Sequence, residues 1–312
     1  MKNLLNKKRV LYFAVAMLCL TFVKAQIPDK LKNLPAFKLR ASMLSSLHKP
    51  QAHGVLNDMR CSNNAPCLKK QTTLGGTGDD FEQRVLPTGD GSFIVIGGTN
   101  STDGDFHVPA ANAQDAFIAR YNHSMQLEWT KTFGGTGDDF FNDIAQTFDG
   151  GYIAVGFTSS NDGDVSGNHG NYDVWVVKLS ASGNIQWQKC LGGSAFEFGD
   201  AGIQTFYGGF TILGSTFSND GDVSGNHGNF DAWVVQLSPA GKLLTQRCYG
   251  GSGDEFVNVM VSSGWGSFIF EGTTKSNDGD VSGNHGGTDA WVVKANASGK
   301  IIWQKTVGDT RG

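Results

Sequence analysis

An all-β fold assembled from repeated four-stranded units is predicted for this chain by three observations. The marker Gly-Gly-Ser/Thr recurs at Gly75, Gly134, Gly192 and Gly250, at intervals of 59, 58 and 58 residues, with a degraded fifth copy at Gly308. Each interval divides into four short apolar runs separated by Gly/Asp/Asn clusters, the pattern of short strands and tight turns. No amphipathic helical period of useful length interrupts them. Antiparallel four-stranded units repeated head to tail, with aromatic marks in each, describe a β-propeller.

The chain opens on a predicted secretion leader. Lys2, Lys7, Lys8 and Arg9 precede an apolar run, Val10–Val23, and Ala25 supplies a small residue for cleavage. The apolar run is too short to span a bilayer as a helix, so the mature chain is expected outside the cytoplasm, secreted or at the cell surface, with no transmembrane segment. Residues 26–67 read as a linker or arm, with a broken amphipathic stretch over Leu31–Leu47 interrupted by Pro35. Cys61 and Cys67 bracket a short polar segment, which in an oxidising compartment predicts a local disulfide. Cys190 and Cys248 occupy equivalent places in successive units; a whole repeat between them exceeds the reach of a bridge, and they read as small buried residues.

The repeats fill 68–312, with units near 75–133, 134–191, 192–249 and 250–307. In the second unit the expected strands are Asn142–Thr147, Tyr152–Thr158, Val174–Ser180 and Ile185–Leu191. Asp149-Gly150-Gly151 turns the first hairpin, because glycine accepts positive φ. The third strand carries Phe117, Trp175, Trp233 and Trp291, and the fourth Trp129, Trp187 and Trp303, with Thr245 breaking the set. These rings fit packing between blades; a row of sugar-stacking platforms is the competing reading. Leu68–Leu74 aligns with a fourth-type strand, giving seventeen candidate strands. A four-bladed ring, an incomplete ring and a fragment are all compatible with that number.

The stretches GGTGDD, IAQTFDGGYIAVGFTSSNDGDV, DVWVVKL and GNIQWQKCLGG resemble the bacterial secreted β-propeller repeat, SBBP type, over about residues 68–312. The first unit shares its Asp-Phe and Asp-Ala-Phe marks. The resemblance implies an exported propeller rather than a particular activity.

One loop stands out. Asp162–Asp173 reads DGDVSGNHGNYD and returns at Asp220–Asp231 and Asp278–Asp289, with nine consecutive residues fixed. Oxygen-bearing side chains fall at positions 1, 3, 5, 7 and 12, with glycine at 6. These are Asp162, Asp164, Ser166, Asn168 and Asp173; Asp220, Asp222, Ser224, Asn226 and Asp231; and Asp278, Asp280, Ser282, Asn284 and Asp289. That is the ligand spacing of an EF-hand calcium loop, without its helices and with Asp in place of the usual Glu at 12. Calcium is therefore the expected cofactor; the alternative is that these residues only build hydrogen-bonded turns. His169, His227 and His285, at position 8, read as loop-surface residues. The first unit keeps Asp103 and Asp105 but places His107 and Val108 where Ser and Gly belong, and its next acid, Asp115, falls at position 13. This copy is expected to bind no calcium.

Charge narrows the function. The whole chain carries 25 basic and 29 acidic side chains. Removing the leader leaves a net −9, and residues 71–312 carry −15, which argues against nucleic acid as a partner. Asp79-Asp80, Asp138-Asp139 and Asp254-Glu255 recur with the repeat, whereas glycoside hydrolysis needs two carboxylates in unlike environments. No Ser/His/Asp, Cys/His or HExxH set appears. The expected function is a non-catalytic scaffold or binding module for a glycan or protein ligand, with a polysaccharide-active hydrolase as the alternative.

Overall fold

The computed structural model describes residues 72–108 and 113–309. The leader, the Leu31–Leu47 stretch, Cys61 and Cys67 and most of the expected Leu68–Leu74 strand lie outside these residues. Within them the chain forms sixteen strands and four sheets. The first blade contains β1 (Asp80–Pro87), β2 (Phe93–Thr99), β3 (Asp115–Tyr121) and β4 (Leu127–Phe133). The second contains β5 (Asp139–Gln146), β6 (Tyr152–Thr158), β7 (Asp173–Leu179) and β8 (Ile185–Leu191). The third contains β9 (Glu197–Gln204), β10 (Phe210–Thr216), β11 (Asp231–Leu237) and β12 (Leu243–Tyr249). The fourth contains β13 (Glu255–Gly264), β14 (Ser267–Thr274), β15 (Asp289–Ala295) and β16 (Ile301–Val307). Strands pair antiparallel in sequence order within every sheet, so each blade is a meander and the fold is the predicted propeller type. The opening strand of the second blade begins at Asp139, three residues before the expected start, because the acidic residue ahead of the apolar run also joins the ladder.

A bulge in each opening strand explains a glycine in each second strand. The register slips between Phe141 and Asp143, leaving Asn142 unpaired, and the same slip recurs in β1, β9 and β13. The bulge pushes the Phe140 carbonyl toward Gly156, where a Cβ would lie 1.8 Å from that oxygen. Gly97, Gly214 and Gly272 sit against Phe81, Phe198 and Phe256 in the same way. Only glycine fits such a close backbone approach.

The core lies between blades. Ile94, Ile96 and Ile118 of the first blade pack with Phe141, Ala154 and Trp175 of the second. Ile153, Val155 and Val176 on the other face of the second blade pack with Ile212, Trp233 and Val235 of the third. Leu213, Val234 and Tyr249 then meet Phe268, Phe270 and Trp291. Strands buried on both faces read as apolar runs rather than alternations. Trp175, Trp233 and Trp291 are fully buried, so the third-strand aromatics are core and not sugar platforms. Cys190 and Cys248 are buried free thiols, as expected.

The series does not close on itself. Among the described residues, strands of the first and fourth blades do not pack together as adjacent blades do. The outer face of the fourth blade stays open: Val307 is 57% exposed, where its counterpart Leu191 is 0% exposed. Val259, Val261 and Trp303 are exposed on the same blade. No helix among the described residues is long and apolar enough to cross a membrane.

Gly156→Ala should lower unfolding stability by at least about 1–3 kcal/mol, the usual cost of overpacking. Gly89→Ala, with nothing within 4 Å of its Cβ position, should be near neutral. Urea denaturation of the two variants measures the difference.

Candidate functional site

Each Gly-Gly marker is a cradle for carboxylates. At Gly134 a side chain would meet Asp139 Oδ2 at 2.5 Å and Asp115 Oδ1 at 2.8 Å. At Gly135 it would meet Asp162 Oδ1 at 2.3 Å. The same clashes await at Gly192-Gly193 and Gly250-Gly251. Two glycines in a row are needed because acidic side chains occupy the space beside both.

The opening-strand acid is the hub of each joint. Asp139 accepts from Gly135 N at 2.9 Å, from Ser160 Oγ at 2.7 Å and from Thr158 Oγ1. Glu197 and Glu255 accept from Gly193 N, at 2.8 Å, and Gly251 N, at 2.9 Å, and from Thr216 and Thr274. Asp80 does the same in the first blade.

The loops spend most of their oxygens on such bonds. Asp162 Oδ1 accepts from Thr136 N at 2.7 Å, and Asp220 and Asp278 cap Ser194 N and Ser252 N. Asp103 caps Thr77 N identically, so position 1 keeps its turn-capping role in the unit expected to lack calcium. Ser166 Oγ accepts from Gln188 Nε2 at 2.7 Å, and Gln188 Oε1 accepts from Trp175 Nε1 at 3.1 Å. Ser224 and Ser282 repeat this relay through Gln246 and Gln304. Asn168 accepts from Gly170 N and donates to Thr158 O, and Asn226 and Asn284 match it. Asp173 Oδ2 receives His169 N at 3.1 Å and lies 2.6 Å from His169 Nδ1. Asp231 with His227 and Asp289 with His285 are equivalent. The histidines thus have a partner that loop position alone did not reveal: the i, i+4 spacing brings each ring back onto the strand's first residue.

The five expected ligands of one loop are therefore not gathered at one point. Positions 1, 5 and 7 bind the loop to its own blade, while positions 3 and 12 go to different joints. Asp164 points its carboxylate toward Gly134, 3.4 Å from the amide, beside Asp115 of the preceding blade. Asp173 instead meets Glu197 of the following blade at Gly192. Among the described residues no three acidic, histidine or cysteine side chains are already arranged to hold a metal ion.

Burial, more than the neighbouring acids, shifts the titration of these carboxyls. Burial pushes Asp115 up to about 7, with Asp139 and Asp164 adding repulsion. Burial likewise raises Asp139 to about 6 and Asp173 to about 6, the latter against the pull of His169. Asp231 is raised for the same reason, with Glu255 beside it. Asp289 is lowered, by its bond from His285.

A second feature lies on the turns between the first and second strands. Phe148, Phe206, Tyr207 and Trp265 stand exposed there, on three successive blades. Phe206 lies 5.5 Å from Tyr207 and 6.5 Å from Trp265, ring centre to ring centre. Gln204 ties neighbouring turns together, accepting from Phe148 N at 2.7 Å and donating to Gly208 O at 3.2 Å. Trp265 is 87% exposed and has φ +53°, followed by Gly266 at +76°. A two-residue hairpin with both φ positive is the setting for Asn-Gly, and a bulky side chain there is strained. Such strain is characteristic of functional positions. The signal was legible in QTFDGGY, QTFYGGF and SSGWGSF, where aromatics occupy turn centres that polar residues normally fill.

No family model matches the chain, and no curated protein matches it. Solved structures offer remote likenesses. A Bacteroides caccae protein of unknown function shares 13% identity over 63% of this chain and 71% of its own, with a TM-score of 0.34. A Synechocystis apocarotenoid oxygenase shares 13% identity over 75% of this chain, with a TM-score of 0.40; this chain spans 51% of its length. A levansucrase of B. megaterium shares 9% identity over 72% of this chain and 69% of its own, with a TM-score of 0.33. These similarities bring no activity to the chain.

The raised carboxyls fix a pH dependence. Their folded forms hold more protons than the unfolded chain above its carboxyl range, near pH 4, and up to about pH 7. The stability they contribute is present at the acidic end and lost as pH rises through 6–7. Asp149, held down to about 2 by Thr147 and Lys178, acts only below that window. In chelator-treated protein the melting temperature should fall between pH 5 and pH 8, by roughly 2–4 °C per kcal/mol lost. A calorimetric melt that rises across this interval would contradict the assignment.

Proposed function

We propose that the protein is an exported, non-catalytic binding module that presents its aromatic turns to an uncharged glycan. The observation that carries this reading is the platform of Phe206, Tyr207 and Trp265, with Phe148 on the equivalent turn of the second blade. Exposed apolar patches on a soluble domain mark interaction sites. Aromatic rings on short turns lose little conformational freedom when they bind, having only two side-chain torsions each. Flat ring faces suit the C–H faces of sugars, and the acidic surface of the repeats disfavours polyanions. The SBBP-like sequence and the leader support an extracytoplasmic setting.

The acids that catalysis would need are committed elsewhere. Asp80, Asp139, Glu197 and Glu255 accept hydrogen bonds inside each joint, in near-identical surroundings. That favours binding over the hydrolase alternative, which requires one acid and one base in unlike environments.

Glycan-array binding of the mature protein tests this, run beside a hydrolase panel. Binding without turnover is expected, and Trp265→Ala together with Phe206→Ala should weaken it at least tenfold, about 1.4 kcal/mol. Turnover abolished by one acidic substitution would establish the hydrolase instead. Binding of a protein but no glycan would replace the ligand class.

A further inference from the structure

Each joint between blades draws three carboxylates from two blades. At the joint of the second and third blades they are Asp173 at the start of β7, Glu197 at the start of β9 and Asp222 in the β10–β11 loop. Asp173 Oδ1 and Glu197 Oε2 lie 2.7 and 2.6 Å from the point where a Gly192 side chain would begin. Asp222 is tethered to the same residue, its N–H donating to Gly192 O at 2.8 Å. Asp173 is 0% exposed, yet its Oδ1 has no hydrogen-bond partner, and neither has the buried Oδ2 of Asp222.

The next joint repeats the arrangement, with Arg247 added 3.4 Å from Asp280 Oδ1. Asp231 Oδ1 and Glu255 Oε2 lie 2.6 and 2.4 Å from the corresponding point at Gly250, and Asp280 N donates to Gly250 O at 2.8 Å. Asp231 Oδ1 and Asp280 Oδ2 are again buried without partners. Asp115, Asp139 and Asp164 form the counterpart at Gly134.

A buried carboxylate oxygen with no donor is costly, and two beside a third acid are more so, because like charges repel in a medium of low polarizability. The same two oxygens lack a donor at both the Gly192 and the Gly250 joints, whereas at Gly134 the amide donates to Asp164 Oδ2 at 3.4 Å. Glycine keeps side-chain volume out of the space between them. We propose that each joint is a divalent-cation site, ligated by the last aspartate of one blade's loop, the opening-strand acid of the next blade and the position-3 aspartate of that blade's loop. Hard carboxylate oxygens without nitrogen or sulfur suit calcium, whose remaining positions water can fill. The site uses Asp164-type and Asp173-type residues of the twelve-residue loop but divides them between joints. It adds Asp139, Glu197 and Glu255, which belong to no loop, and leaves out the turn-capping Asp162.

Calcium titration of the chelator-treated full-length protein by calorimetry tests the proposal, with Asp173→Asn, Glu197→Gln and Asp162→Asn as variants and circular dichroism to confirm folding. The wild type should bind one equivalent per joint. Asp173→Asn and Glu197→Gln should each lose one equivalent, and Asp162→Asn should keep all of them. Two outcomes overturn the site. One is no binding up to millimolar calcium, the weak end for extracellular modules at about 10⁻³ M. The other is loss of an equivalent in Asp162→Asn with full binding in Glu197→Gln. Should Asp173→Asn or Glu197→Gln fail to fold, Asp162→Asn decides: an unchanged number of equivalents supports the joints, and loss of one refutes them.

Discussion

The meeting of two carboxylates across the first glycine of each Gly-Gly pair is the constraint on which the rest of the architecture turns. Asp173 closes one blade's loop and Glu197 opens the next blade, and Gly192 holds the chain between them. From that contact follow the glycine pair, the threonine and serine donors around the opening acid, and the histidine that grips the other carboxylate oxygen. Apolar packing supplies the bulk of cohesion between blades. The polar joint sets where one blade ends and the next begins.

Repetition and exception then separate structural from functional roles. The tryptophan, glutamine and serine relay of Trp175, Gln188 and Ser166 returns in the third and fourth blades, as a device that every blade with that loop needs for itself. Trp265, on a turn whose equivalents carry Phe148 and Tyr207, belongs to no such relay. It occupies a left-handed backbone position, faces solvent and neighbours Phe206 of the blade before it. The open face of the fourth blade is a different exception: it has the apolar character of its siblings but lacks the covering sheet that they have.

Much of this was legible in the sequence, for reasons that differ by element. The 58-residue period and the glycine turns specified sixteen of the strands, because turn chemistry and short apolar runs act locally. The burial of Trp175, Trp233 and Trp291 followed from their recurrence on a strand. The twelve-residue loop showed which oxygens recur but not where each one goes. Spacing along a chain shows which oxygens are available but not which backbone amide stands nearest, and Asp162 is claimed by Thr136 across a tight turn. Nor can a linear pattern show that Asp173 belongs with Glu197 of the following blade. The aromatic turns were visible but passed over, since Phe148, Tyr207 and Trp265 sit where the turn itself drew attention to glycine.

The position of a bound cation separates the joints from the loop curl most directly. Crystals of the protein grown with calcium, measured at a wavelength where calcium scatters anomalously, would locate it. Peaks beside Gly192 and Gly250, between Asp173 and Glu197 and between Asp231 and Glu255, are the predicted result. Peaks within the curl formed by Asp162, Asp164 and Ser166, with none at the joints, would contradict it.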